Sequence, residues 1–189
     1  MQYYERIREV CKELIDEEEY VNASNLYKRI LPMYKNMPKK MRDDLDPVQS
    51  AQRSECLHIL LLNIALCHLK RDQFRDAVKF CKEAIDHNST NPKAFFRLAV
   101  AQRQNGELEP AKVSILAAIK LSPNDPKLRE EYKILMELMN KKHKEWFQKM
   151  NGFMNTSKMR EIEEQDKEEQ ILKEKLLKKE FNWVDTNND

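Results

Sequence analysis

The sequence predicts an all-α fold: a superhelix of three helix-turn-helix units, a capping seventh helix and a charged C-terminal helical extension. Three observations predict it. Ala65, Ala77 and Ala84 recur 34 residues later as Ala99, Ala111 and Ala118. That period is the length of a two-helix repeat, in which small side chains let antiparallel helices approach and each unit buries its apolar face on the next. Only two glycines occur in 189 residues, whereas strands and hairpins lean on glycine-rich turns. Charged residues make up 35% of the chain, alongside much Leu, Lys and Glu, a composition that favours helices.

The elements follow from this period. Residues 55–88 form one repeat and 89–122 the next, with Phe74 and Leu108 at the turns and Ile85 and Ile119 closing the second helices. Tyr20, Ala23 and Leu31 lie 54 residues before Phe74, Ala77 and Ile85, which puts a first repeat at about 3–36 and an insertion of about 20 residues after it. The insertion holds Pro38, Asp43, Asp44, Asp46 and Pro47 and is expected to be an exposed connection that lengthens the flanking helices, since Asp favours an N-cap and Pro is tolerated in a first turn. Pro32 is expected to kink or shorten the helix it sits in. Beyond Pro123, Asn124 or Asp125 caps a seventh helix over 124–150 with Pro126 in its first turn, and Leu128, Tyr132, Leu135, Leu138 and Met139 give it an apolar stripe. Such a helix closes the open end of a solenoid. The expected organisation is a repeat domain over 1–150 and an extension over 151–189. In the extension an acidic block (Glu161, Glu163, Glu164, Asp166, Glu168, Glu169) precedes Lys173, Lys175, Lys178 and Lys179, and the last residues, NWVDTNND, are expected to fray.

Composition also excludes function classes. The net charge is +2, and no block of unmixed Lys and Arg interleaved with aromatics marks a nucleic-acid surface. The N-terminus is polar, and the longest apolar run, near Ile59 to Leu66, is broken by Asn63, so neither a signal peptide nor a membrane span is expected. Cys11, Cys56, Cys67 and Cys81 form no CxxC pair and are read as buried thiols in a reducing, cytoplasmic setting. His58, His68, His87 and His143 are dispersed, without zinc spacing. No phosphate loop, nucleophile elbow or paired acid motif appears, so neither a cofactor nor catalysis is expected. Trp146 and Phe147 in KKHKEWFQKM are read as packing within the capping helix rather than as a free partner helix.

The candidate binding residues lie on first helices, across from the packing alanines. Asn63, Lys93 and Arg97 are placed near the start of their helices, and Arg8 and Lys12 one turn apart on the corresponding face of the first unit. An asparagine inside LLLNIAL costs propensity and burial unless it is used. A peptide ending in aspartate presents two carboxylates. Asn63 can donate an amide hydrogen to them, Arg8, Lys12 and Lys93 can supply charge-assisted bonds, Arg97 can reach an upstream carbonyl or acid, and Leu66 and Val100 can seat an aliphatic side chain.

The stretches NIALCHLK and KAFFRLAVAQ, with the Lys93-to-Arg97 spacing, and the segment HKEWFQKMNGFM resemble the tetratricopeptide repeat domains of the immunophilin and aryl-hydrocarbon-receptor-interacting cochaperones, over roughly residues 3–155. The resemblance implies a carboxylate clamp for the EEVD C-terminus of the ninety-kilodalton heat-shock chaperone. Arg8 then matches the first-helix lysine, Asn63 the clamp asparagine, and Lys93 and Arg97 the third-repeat pair. At Cys11 and Lys12 the chain departs from the family, which has glycine and asparagine there. No isomerase domain accompanies the repeats. The expected function is a non-catalytic adaptor for a chaperone peptide; the alternative is a structural scaffold in a larger assembly, such as a cytoskeletal or ciliary complex, tethered through the extension.

Overall fold

The computed structural model describes the backbone of residues 2–150 and 156–180, and every regular element among them is a helix. In chain order these are α1 (Gln2–Asp16), α2 (Tyr20–Lys35), α3 (Lys39–Asp43), α4 (Pro47–Lys70), α5 (Phe74–His87), α6 (Pro92–Gln104), α7 (Leu108–Leu121), α8 (Pro126–Met150) and α9 (Thr156–Glu180). They form two compact units, Met1–Leu135 and Met136–Asp189, divided within α8. In the first unit α1 pairs with α2, α4 with α5 and α6 with α7, while α2 also packs on α4 and α5 on α6. That chain of neighbour contacts is the repeat architecture.

The turn inside each helix pair is built the same way. Glu18, Asp72 and Gly106, separated by the offsets 54 and 34 seen in the sequence, all adopt left-handed backbone, with φ of 63°, 56° and 85°. After each, one backbone N–H reaches five residues back: Glu19 to Leu14 at 2.7 Å, Gln73 to His68 at 2.9 Å, Glu107 to Gln102 at 2.9 Å. The first bond of each second helix, from Ala23, Ala77 or Ala111 to the residue four before it, measures 3.0 Å in all three. These bonds satisfy carbonyls and amides that helix ends leave open.

Ala23, Ala65, Ala77, Ala84, Ala111 and Ala118 are completely buried and Ala99 nearly so. A larger side chain at any of them would have to push two helices apart. Helix α4 touches three others, α2, α5 and α6. Accordingly its buried residues (Leu57, Leu60, Leu61, Ile64, Cys67) lie on several sides rather than in one stripe. Ile7 and Cys11 of α1, Tyr27 and Ile30 of α2, and Leu60 and Ile64 of α4 form one core cluster.

Three local expectations can be compared with the structure. The insertion does lengthen a helix: α4 begins at Pro47, with Asp46 as N-cap accepting from the Gln49 amide at 2.7 Å in a capping box. Pro32 does not end α2, which continues to Lys35 before the Asn36 amide closes back on the Pro32 carbonyl. Asp125 caps α8, accepting from the Lys127 amide at 2.9 Å. Leu128, Tyr132 and Leu135 are buried, and Arg103 of α6 grips Glu131 of α8 with two bonds of 2.6 and 3.3 Å.

In the second unit, His143 stacks on Trp146, meets Phe147 edge to face and approaches Asp166 of α9 at 3.3 Å. Phe147 is buried while Trp146 is half exposed, so only the former packs as the sequence suggested. The segment expected to fray, Asn182–Asp189, lies outside the described residues.

Candidate peptide-binding site

The candidate residues fall on the three first helices: Arg8 and Lys12 on α1, Asn63 and Leu66 on α4, Lys93, Arg97 and Val100 on α6. Spacings of four, three, and four then three residues put each set on one helix face. Because α4 starts at Pro47, Asn63 lies in its second half rather than near its start, and the inserted turns account for the difference. Arg8, Lys12 and Lys93 are exposed, whereas Leu66 and Val100 are half-buried.

Asn63 and Arg97 are engaged within the scaffold. Asn63 Nδ2 donates to the Tyr27 hydroxyl at 3.1 Å, and Tyr27 packs in a buried cluster with Cys11. Arg97 Nη1 donates to the Leu62 carbonyl at 2.7 Å, which fixes the Lys93–Arg97–Val100 face of α6 against α4 next to Asn63. Burial lowers the Arg97 pKa, while Cys81, Cys67 and Tyr27 lie near enough to oppose that shift. Burial likewise pushes the Cys11 thiol up to about 11, Cys67 to about 11 and Cys81 to about 12, so these are protonated, unreactive thiols. None of the four cysteines forms a disulfide, and Cys56 is only half-buried. Among the described residues no group of His, Cys, Asp or Glu could hold a metal ion, and no helix is long and apolar enough to cross a membrane.

The start of α6, where Lys93 sits, is held by residues the sequence did not single out. Asn91 caps the helix by accepting from the Lys93 amide at 3.0 Å. Its Nδ2 lies 2.8 Å from His58 Nε2, and His58 Nδ1 lies 2.8 Å from the Ala84 carbonyl. A carbonyl only accepts, so His58 carries its hydrogen on Nδ1 and receives the Asn91 amide on Nε2. The completely buried His58 thereby ties α4, the end of α5 and the cap of α6 together. Its sequence signal was a lone histidine beside an apolar run, which is indistinguishable from an ordinary core position.

Comparison with known proteins agrees with this architecture. The family described as Tetratricopeptide repeat matches residues 68–130. The C-terminal TPR-containing domain of a Plasmodium falciparum protein described as FK506-binding superposes with a TM-score of 0.66, covering 76% of this chain and 92% of that one at 24% identity. Residues 68–130 match a tetratricopeptide repeat, and the chain has that type of helical-repeat fold. Curated relatives of this domain include the peptidyl-prolyl cis-trans isomerases FKBP42 of Arabidopsis thaliana, 33% identical over 40% of the chain, and FKBP4 of Homo sapiens, 30% identical over 52%. The chain spans only 21% and 22% of their lengths. The myosin chaperone UNC-45 from C. elegans, solved in complex with a Hsp90 peptide, matches at 28% identity and a TM-score of 0.60 over 75% of this chain and 14% of that one.

Proposed function

We propose that this repeat domain is a non-catalytic adaptor that binds the acidic, EEVD-type C-terminal peptide of a heat-shock chaperone along its first helices. The observation that carries the reading is the Arg97–Leu62 bond, because it joins α6, which bears the exposed Lys93, to α4 at the residue preceding Asn63. Arg8 and Lys12 add exposed cations on α1, and Leu66 and Val100 add a half-buried apolar lining. Carboxylates on such a peptide would take charge-assisted hydrogen bonds from the cations, roughly twice as strong as neutral ones, while the apolar lining selects the neighbouring aliphatic side chain. The Hsp90 peptide bound by the similar UNC-45 supports the ligand class. Nothing in the arrangement pairs a nucleophile with a base, and the isomerase relatives align only through part of their length, so no isomerase activity is assigned. A cytoplasmic setting fits the reduced, buried thiols.

Calorimetry of the full chain with a peptide ending in EEVD at low salt tests the proposal. Micromolar binding that is abolished by Lys93→Ala combined with Asn63→Ala supports it, and no heat with the wild-type chain overturns it. The scaffold reading is favoured by one feature, the exposed Ile171, Leu172 and Leu176 of α9. It predicts partner capture that survives the double clamp variant and fails when 158–189 is deleted.

A further inference from the structure

We infer that Tyr27 is a positioning residue of the peptide site: its hydroxyl holds the Asn63 amide with an N–H committed to the scaffold and the other left for a ligand. The inference rests on the peptide-binding reading above and adds a residue from a second helix, α2, to a site otherwise drawn from first helices.

The hydrogen bond has a direction. Asn63 Nδ2 donates to the Tyr27 oxygen at 3.1 Å, and Tyr27 lies in a buried cluster with Cys11. The phenol oxygen accepts here through a lone pair, so the amide nitrogen and not the amide oxygen points at Tyr27. One Asn63 hydrogen is then spent and the amide plane is fixed. Without the hydroxyl, the amide can turn by 180° and present its oxygen where a carboxylate must sit, which replaces attraction by repulsion. Cys11 is completely buried and directly precedes the exposed Lys12. The cluster of Cys11, Tyr27, Leu60 and Ile64 packs α1, with its two cations, against α2 and α4.

Packing alone does not require these polar groups. Tyr27 is 2% exposed and sits in a cluster with Ile7, Ile30, Leu60 and Ile64, where a phenylalanine ring would fill the same space. Asparagine is a poor choice for a helix interior. Replacing both partners of a buried hydrogen bond by apolar groups of similar shape is often neutral or stabilising. A pair kept only for stability would thus have an apolar substitute, whereas an oriented donor would not.

The experiment compares wild type, Tyr27→Phe, Asn63→Ala and the double variant of the full chain. Affinity for a synthetic peptide ending in EEVD is read by calorimetry, the fold by thermal unfolding, and the Asn63 side-chain amide by NMR. Tyr27→Phe is expected to weaken binding about five- to tenfold while its melting temperature stays within a few degrees, a loss the size of one neutral hydrogen bond. In the Asn63→Ala background the same change is expected to cost less than twofold, because there is no amide left to orient. Unaltered affinity in Tyr27→Phe, or a full additive loss in the double variant, overturns the inference. Silence of the wild type with the peptide overturns the ligand reading instead. The amide resonances then decide separately: unchanged shifts and hydrogen exchange of Asn63 in Tyr27→Phe refute the positioning role, and faster exchange with altered shifts upholds it.

Discussion

Arg97 of α6 donates from Nη1 to the carbonyl oxygen of Leu62 in α4 at 2.7 Å, so a residue expected to serve a ligand also fastens two first helices together. Binding and stability can nevertheless be separated there. The guanidinium is buried, which lowers its pKa, and its hydrogen-bond partner is a carbonyl inside a helix rather than an acid. A buried charge without an ionic partner is costly to hold, and an unbranched apolar replacement of similar length removes that cost. Arg97→Met is therefore expected to leave stability within about 1 kcal/mol of wild type while weakening the proposed peptide binding at least tenfold. Chemical denaturation and calorimetry on the same samples check both halves. Lys93→Ala, on an exposed side chain, is expected to lose affinity with no change in stability.

The ion pair of Arg103 and Glu131 behaves differently. Both side chains are largely buried, at 16% and 9% exposure, and the guanidinium reaches both carboxylate oxygens. Removing one member strands the other charge. Arg103→Ala is expected to destabilise the first unit by about 3–5 kcal/mol. Arg103→Met with Glu131→Leu is expected to regain most of that loss. Urea unfolding of the two variants beside wild type measures it, and equal losses in both would mean the pair contributes through packing alone.

How far the sequence could be read depends on distance along the chain. The repeats were legible because Ala23, Ala77 and Ala111, with the 54- and 34-residue offsets, reflect a steric need at the helix crossing. The left-handed turn residues were legible at Gly106 and hidden at Glu18 and Asp72, whose side chains tolerate that backbone without announcing it. The start of α4 was underestimated, since helical period is lost across Pro and Asp clusters, although Asp46 and Pro47 carried the signal. At the site, the scaffold partner of Asn63 is Tyr27, 36 residues away across the insertion, and no local pattern pairs them. Leu62 was invisible for a different reason: its contribution is a backbone carbonyl, which every residue has.

The hidden turn residues make a stability prediction. Left-handed backbone costs a residue with a Cβ about 1–2 kcal/mol, and glycine escapes that while adding some entropy to the unfolded chain. Asp72→Gly and Glu18→Gly are thus each expected to stabilise by up to about 1 kcal/mol. Gly106→Ala is expected to destabilise by about 1 kcal/mol, from backbone strain alone, because an added Cβ would meet nothing within 4 Å. Thermal unfolding of the three single variants tests the signs. A stabilised Gly106→Ala would refute the common turn geometry.

His68 makes stability depend on pH. It is 4% exposed, stacks on Phe80 at 5.3 Å, and its Nδ1 lies 2.7 Å from Gln73 Oε1, while Nε2 is buried without a hydrogen-bond partner. Burial lowers its pKa below the ordinary 6.5; Lys28 and Arg71 add to the shift, and the Gln73 bond and Asp76 oppose it. The folded chain thus binds this proton less readily than the unfolded one. Stability from this group is intact above about pH 6.5, where both states are neutral, and falls as the pH drops from there toward the lowered folded value. The equivalent position one repeat later, Gln102, is also buried and hydrogen-bonds through its amide to Ser114 at 2.6 Å. His68→Gln therefore places a side chain the repeat already accommodates, without the titration. Melting temperatures between pH 7.5 and 5 are expected to decline more steeply in wild type than in His68→Gln, and parallel curves would assign the acid loss to other groups.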